Sequence, residues 1–403
     1  MKVLVADSFE EAGLVALRAA GLEVDHQPGL GPDQLVAAVK AIEPDVVVVR
    51  GKQVVATVFT AGSRLKLVVR AGAGYDSIDV AAASAEGVYV SNCPGKNAIA
   101  VAELAWGLIL ACDRRIPDQS ADLRAGRWDK KKYSAARGLY GATLGVLGQG
   151  AIAAAVIERA RGFGMPVVAW SRRLDDEGAA ALGAERVGSP LEVAARADVV
   201  SVHLAAKPET RRIIDAAFVD AMKPGTIFVN TSRGSLVDED ALRRGIEDKG
   251  LRVGLDVFEG EPKSGAGEVQ SPLARDPRVV GTHHVGASTD QAQLAIAMEA
   301  VRIIEHFRAT GAALHCVNRV VKSPATCLLT VRHRNRPGVL ARVFGVLSDA
   351  GINVEEMENV IYDGAQAASA RIQLDTPPSA EHLDLIRSSC EEILSVDLTS
   401  IAA

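Results

Sequence analysis

Apolar residues in the first third of the chain fall in short unbroken runs, separated by segments with helical spacing. Residues 2–6 read as a strand, 10–20 as a helix, and a second strand begins near Leu22. The alternation continues with a helix over 34–42 and strands over 46–50 and 65–70. Aliphatic runs without polar alternation suit a parallel sheet covered on both faces, so the pattern is βαβ. After Pro94-Gly95, residues 98–111 form a predicted helix that is small or apolar at almost every position, fit to bridge two domains. A second βα series has strands at 144–147, 166–170, 199–204, 227–231 and 253–257, which predicts another doubly wound unit. Residues 262–271 read as an exposed loop and 318–324 as a linker. From Ala325 the order is strand, helix, strand, strand, helix and a last strand at 396–398, the split βαβ pattern of a ferredoxin-like α+β domain.

Composition narrows the function classes. A length of 403 residues, 48% hydrophobic, supports two or three cores and excludes disorder or a fibre. The net charge of −5, without blocks of like charge, argues against capture of nucleic acid or of an anionic membrane, and aromatics at 4% leave little for base stacking. There is no apolar run of membrane-spanning length, and the amino end lacks a basic segment followed by an apolar one, so a cytoplasmic protein is expected. Cys93, Cys112, Cys316, Cys327 and Cys390 are scattered and never spaced as Cys-x-x-Cys; neither a disulfide framework nor a metal site is expected. The expected partner is a small molecule.

The strongest local signal is the strand 144–147 turning through Gly148-Gln149-Gly150 into a helix that opens with Ala151-Ile152-Ala153. Gly148 permits the tight turn, Gly150 lets backbone N–H groups approach a pyrophosphate at the helix start, and Ala153 stands at the close-packing third position. An acidic residue that would hold the ribose hydroxyls is expected at the tip of the next strand. That tip reads Ser171-Arg172-Arg173, and Asp175 and Asp176 come late. A nicotinamide dinucleotide, NAD or NADP, is the expected cofactor, and the choice stays open because serine and arginines tolerate a ribose phosphate.

Three segments place polar groups after strands, where the crevice of a doubly wound sheet lies: 228–234 with Thr231, Ser232 and Arg233, 255–262 with Asp256 and Glu261, and 281–289 with His283 and His284. Thr231, Ser232 and Asp256 are expected to line the nucleotide. Alone, each would be an ordinary surface or core residue. In this order, over about the first 320 residues, they resemble the D-isomer-specific 2-hydroxyacid dehydrogenases. The resemblance implies that Arg233 holds the substrate carboxylate, that His284 exchanges the hydroxyl proton, and that Glu261 pairs with it. The residue types agree with the chemistry: imidazole exchanges protons near neutral pH, a carboxylate fixes its tautomer, and guanidinium offers a planar fork. His283 receives no role. The sequence departs from the family's usual pattern at His203-Leu204-Ala205, which lacks the proline after the histidine.

The loop with Gly72, Ala73 and Gly74 looks like the family's substrate loop, and Arg50 and Arg70 match cations that reach a substrate phosphate in its phosphoglycerate-oxidising members. The segments 333–340 and 351–354 resemble an ACT regulatory domain, in which His333, Asn335 and Asn353 would hold an amino-acid effector, serine in some members. The resemblance therefore implies two doubly wound domains of Rossmann and flavodoxin type plus the ACT domain. A substrate domain is expected at 1–92 and 285–318, a nucleotide domain at 93–284, and the regulatory domain at 325–403. The implied activity is NAD(P)-dependent oxidation of 3-phospho-D-glycerate to 3-phosphohydroxypyruvate in serine biosynthesis, by a homodimer or homotetramer. The alternatives are an NADPH-dependent glyoxylate or hydroxypyruvate reductase and a non-catalytic nucleotide-sensing protein of the same fold.

Overall fold

Valine runs build the first sheet. Strands β1 (Lys2–Val5), β2 (Glu23–His26), β3 (Val46–Val49), β4 (Leu67–Arg70) and β5 (Tyr89–Asn92) pair in parallel in the order β2-β1-β3-β4-β5. All four valines of β3 are buried, as a strand covered on both faces requires. β5 is not predicted by the aliphatic pattern, because Ser91 and Asn92 interrupt it; both are buried, and Asn92 donates to the Ala73 carbonyl at 2.6 Å. The helix Asp290–Thr310 completes this layer from far along the chain. Its Ile296, Ala300, Ile304 and Phe307 share one core with Val3, Val5, Leu14 and Leu17.

The computed structural model describes residues 1–262, 266–320 and 323–401, so the expected loop at 262–271 and linker at 318–324 lie partly outside the described residues. The chain divides into two compact units, Met1–Asn318 and Arg319–Ala403.

The second sheet of the first unit contains β6 (Leu144–Leu147), β7 (Val167–Trp170), β8 (Glu185–Arg186), β9 (Val199–Val202), β10 (Ile227–Asn230), β11 (Arg252–Leu255) and β12 (Val279–Gly281). They run parallel in the order β12-β11-β10-β9-β6-β7-β8. From β6 the chain winds outward one way and from β9 the other, so a crevice opens where these two neighbours diverge. β8 and β12 are edge strands of two and three residues, too short for periodicity to reveal. The helix Ala98–Arg114 packs its Ala105, Leu108 and Ile109 into the core beneath β6, and its Trp106 stacks on Phe163.

The second unit is an antiparallel sheet of β13 (Cys327–Arg334), β14 (Val354–Ile361), β15 (Ala367–Leu374) and β16 (Ile393–Ser400), in the order β14-β15-β13-β16. The helices Val339–Asp349 and Ala380–Ser388 pack Val343, Leu347 and Ile386 against Leu329, Val331 and Ile372. The alternate residues Arg332 and Arg371 stay exposed. No helix among the described residues is long and apolar enough to cross a membrane.

Candidate active site

Gly148 follows β6 with φ 127°, and a Cβ there would overlap the His203 carbonyl at the end of β9. Glycine is thus required both by the turn and by the approach of a neighbouring strand end. At Gly150, the N-cap of the helix Ala151–Gly162, nothing lies within 4 Å of where a Cβ would be. This open space stands over the helix start, where the first N–H groups, those of Ala151 and Ile152 among them, have no intrahelical acceptor. Gln149 is exposed beside it, and Ala153 is fully buried in the core. Two polar atoms at adjacent strand ends, His203 Nδ1 and Thr231 Oγ1, are buried with no partner among the described residues. The other His203 nitrogen lies 2.8 Å from Ser201 Oγ, and burial pushes this imidazole down to about 3, which keeps it neutral. Open backbone donors and orphaned polar atoms fit a polar dinucleotide in this crevice.

At the tip of β7, Ser171 is half-buried, while Arg172 and Arg173 are exposed and in no ion pair among the described residues. Neither late acid replaces the missing ribose ligand. Asp175 caps the next helix through the Gly178 N–H at 2.8 Å, and Asp176 lies 3.5 Å from Arg186.

Arg233 stands beyond β10 on a turn that its neighbours fix. Asn230 donates to the Arg233 carbonyl and accepts from the Ser232 N–H, both at 2.9 Å, and the Ser232 hydroxyl donates to the Val202 carbonyl at 2.8 Å. Gly234 is required because any side chain would run into the Phe258 backbone. The guanidinium reaches the loop that follows β4, with Nη2 2.9 Å and Nε 3.3 Å from the two Asp76 carboxylate oxygens, while Nη1 donates to the Ser232 carbonyl at 2.7 Å. Asp76 carries no assignment in the sequence reading. The available signal was a lone acid in a loop expected to bind anions.

His284 follows β12 with φ 54°, a left-handed conformation uncommon outside glycine. Asp256 holds that turn. Its carbonyl accepts the His284 N–H at 2.8 Å, and its carboxylate accepts from Thr282 Oγ1 at 2.6 Å and from the N–H groups of Val285 and Gly286 at 2.9 and 3.0 Å. This buried residue, expected beside the nucleotide, thus spends most of its acceptors on the histidine loop. His284 Nδ1 lies 2.7 Å from Glu261 Oε2, and Glu261 Oε1 accepts the Phe258 N–H at 2.8 Å. Burial alone would raise the Glu261 carboxyl; the His284 hydrogen bond and charge, the Phe258 N–H and Arg233 outweigh it and hold it below its ordinary value.

Arg50 and Arg70 end adjacent strands, Val49 being paired with Arg70. The Nε of Arg70 is buried and has no partner among the described residues. Burial, and after it the charge of Arg233, lowers this guanidinium to about 10. A Cβ on Gly72 would overlap the Arg70 guanidinium, and one on Gly74 would overlap that of Arg233. The loop glycines make room for two arginines, and Ala73 lies between them.

A model of the D-isomer-specific 2-hydroxyacid dehydrogenase NAD-binding domain matches residues 106–286, and an ACT domain model matches 328–358. A hydroxypyruvate reductase of Thermotoga maritima is 38% identical over 306 residues, 75% of this chain and 97% of that protein. The chain belongs to the D-isomer-specific 2-hydroxyacid dehydrogenases. Among other members, a D-3-phosphoglycerate dehydrogenase of Methanocaldococcus jannaschii is 40% identical over 297 residues, 73% of this chain and 55% of that protein. The chain spans about half the length of the curated phosphoglycerate dehydrogenases it matches. A solved structure of NAD+-bound 3-phosphoglycerate dehydrogenase from Entamoeba histolytica superposes with a TM-score of 0.66 at 26% identity, over 80% of this chain and 99% of that one. The seven-stranded sheet thus lies in the segment that matches the family's NAD-binding domain, and the antiparallel unit carries the ACT match.

Within the ACT domain the three expected effector residues do not converge. His333 is buried near the end of β13, with Nδ1 2.8 Å from the Arg334 carbonyl and Nε2 3.3 Å from Asn359 Oδ1. Asn335 lies at the same end and donates to the Ala365 carbonyl at 3.1 Å. Asn353 precedes β14 at the opposite end, since Val354 pairs with Leu374 and Leu374 with Cys327; its side chain donates to Glu355 at 2.7 Å.

Proposed function

We propose that this chain oxidises 3-phospho-D-glycerate to 3-phosphohydroxypyruvate with NAD, the entry to serine biosynthesis. The observation that carries the reading is the surplus of cations: Arg70 lies beside Arg233 with its Nε buried and unpartnered, Arg50 ends the adjoining strand, and Asp76 is the carboxylate that Arg233 binds. A simple hydroxyacid needs only one such fork, whereas a substrate carrying carboxylate and phosphate suits several. The phosphoglycerate dehydrogenases among the relatives support the same substrate.

In this reading Arg233 binds the carboxylate and orients C2. His284 Nδ1 donates to Glu261, which leaves Nε2 to take the hydroxyl proton, and Glu261 steadies the imidazolium that results. NAD bound over Gly148, Gln149, Gly150, Ala151 and Ile152, with Ser171, Arg172, Thr231, Ser232 and Asp256 near it, would accept the hydride from C2. The substrate loop residues Gly72, Ala73 and Gly74 would close around the acid. The reading takes 1–92 with 285–318 as the substrate domain, 93–284 as the nucleotide domain and 325–403 as the regulatory one. An amino-acid effector, serine first, would bind the ACT domain at His333, Asn335 and Asn353 in a cytoplasmic homodimer or homotetramer.

The test is reduction of NAD and of NADP by 3-phospho-D-glycerate at alkaline pH with a trap for the product, beside reduction of hydroxypyruvate and glyoxylate by NADH and NADPH. Turnover of the phosphorylated acid supports the reading, and silence with it removes the phosphate argument. A second reading, hydroxypyruvate reduction with NADPH, is favoured by Ser171-Arg172-Arg173 and by the Thermotoga maritima relative. It predicts turnover of the unphosphorylated acids alone.

A further inference from the structure

A loop that receives an anionic substrate has an electrostatic reason to exclude carboxylates, yet Asp76 sits in it, with a side chain exposed enough to turn to water. It turns instead to Arg233, 157 positions away in sequence and beyond a strand of the other sheet. The contact is two-pronged, from Nε at 3.3 Å and Nη2 at 2.9 Å, the side of the guanidinium away from Nη1. A guanidinium has five N–H groups. Asp76 takes two and the Ser232 carbonyl one, which leaves one on Nη1 and one on Nη2 for a further acceptor.

The backbone is built for this arrangement. Gly74 does not have left-handed φ, so its backbone alone does not demand glycine; the space does, because a Cβ would overlap Arg233 Nη2 and lie 3.0 Å from Asp76 Oδ1. Asp76 is ionised when it makes the contact: burial would raise its carboxyl, but the hydrogen bond and charge of Arg233 hold it below its usual range. With Arg70 adjacent, the trio keeps one positive charge for the incoming acid.

We propose that Asp76 is a positioning residue for the reaction, holding Arg233 by its Nε–Nη2 side so that the remaining N–H pair faces the substrate carboxylate. The proposal rests on the reading of Arg233 as the carboxylate clamp. Asp76 itself does not touch the reacting atoms. A clamp used equally in the ground and transition states shows in KM more than in kcat.

The experiment compares wild type, D76N and D76A in full-length protein, measuring kcat and KM for 3-phospho-D-glycerate, KM for NAD, and Tm. The expected result is a KM for the acid raised about tenfold in D76N and further in D76A, with kcat within about threefold and with KM for NAD and Tm unchanged. A KM for the acid that stays within twofold, or that falls because Asp76 merely blocks the site, overturns the proposal. If wild type is silent with 3-phospho-D-glycerate but reduces hydroxypyruvate, the substrate reading fails alone, and the same criterion is applied to the KM for hydroxypyruvate. Wild type silent with both overturns both.

Discussion

Glu299 and Lys96 join the two stretches of chain that pass between the sheets, their charged atoms 3.2 Å apart. Lys96 lies between β5 and the helix Ala98–Arg114, and Glu299 lies on the helix that returns to the first sheet. The same buried carboxylate accepts from Arg302 and lies 2.9 Å from His315 Nε2. The Arg302 hydrogen bond first, and Lys96 after it, bring Glu299 down to about 2 against the opposing effect of burial. A carboxylate lowered on folding contributes stability that is complete above its unfolded value of 4.5 and is lost as pH falls toward about 2. E299Q should therefore be less stable than wild type at pH 7, by about 1–2 kcal/mol because Lys96 and Arg302 can return to water, and the gap should shrink below pH 4.5. Thermal melts of both proteins from pH 7 to pH 3 check this.

At the reacting end, H284A should lower kcat by about 10²–10⁴-fold, the usual worth of a positioned general base. E261Q should cost less, because a glutamine oxygen still accepts the Nδ1–H while the charge is lost. Stopped-flow turnover of the two variants orders them; equal losses would mean that Glu261 does more than orient the ring.

In the proposed reading, cofactor choice turns on the tip of β7. Without a carboxylate there to repel a ribose phosphate, discrimination of NAD over NADP should be under about tenfold in kcat/KM, and R172D should widen it in favour of NAD. The ratio of kcat/KM for the two cofactors, measured in both proteins, decides. Wild type already strongly selective for NAD would show that Arg172 and Ser171 lie off the nucleotide.

The ACT strand register separates His333 from Asn353 by about 20 Å along the sheet, at roughly 3.3 Å per residue. One effector therefore cannot touch both within one chain; a site using both needs two copies. If serine inhibits, H333A and N353A should each abolish inhibition, and hybrids of the two variants should regain about half the sites. Titrating serine against co-expressed hybrids tests this, and hybrids as insensitive as the parents would place the effector elsewhere.

Much of this was legible because chemistry and periodicity coincide. The valine run of β3, the Gly148-to-Ala153 turn and the βαββαβ order after Ala325 each follow from local sequence. The rest depends on partners distant in sequence. β8 and β12 exist because the sheet edge beside them offers hydrogen bonds, not because their two and three residues insist on it. Gly148, legible as a turn residue, is equally demanded by the His203 carbonyl, and Gly74 by a guanidinium from the other sheet. Asp256 looked like a crevice residue from its place after β11; only the fold reveals that its oxygens hold the His284 turn.

The return of Asp290–Thr310 to the first sheet sets an order on synthesis. Val3, Val5, Leu14 and Leu17 leave the ribosome before the second sheet, but Ile304 and Phe307, which share their core, follow only after all seven of its strands. The amino-terminal layer must wait about two hundred residues with an apolar face uncovered. A nascent chain stalled just past β12 would hold a finished nucleotide sheet and an unfinished first one, the form in which a chaperone would meet it.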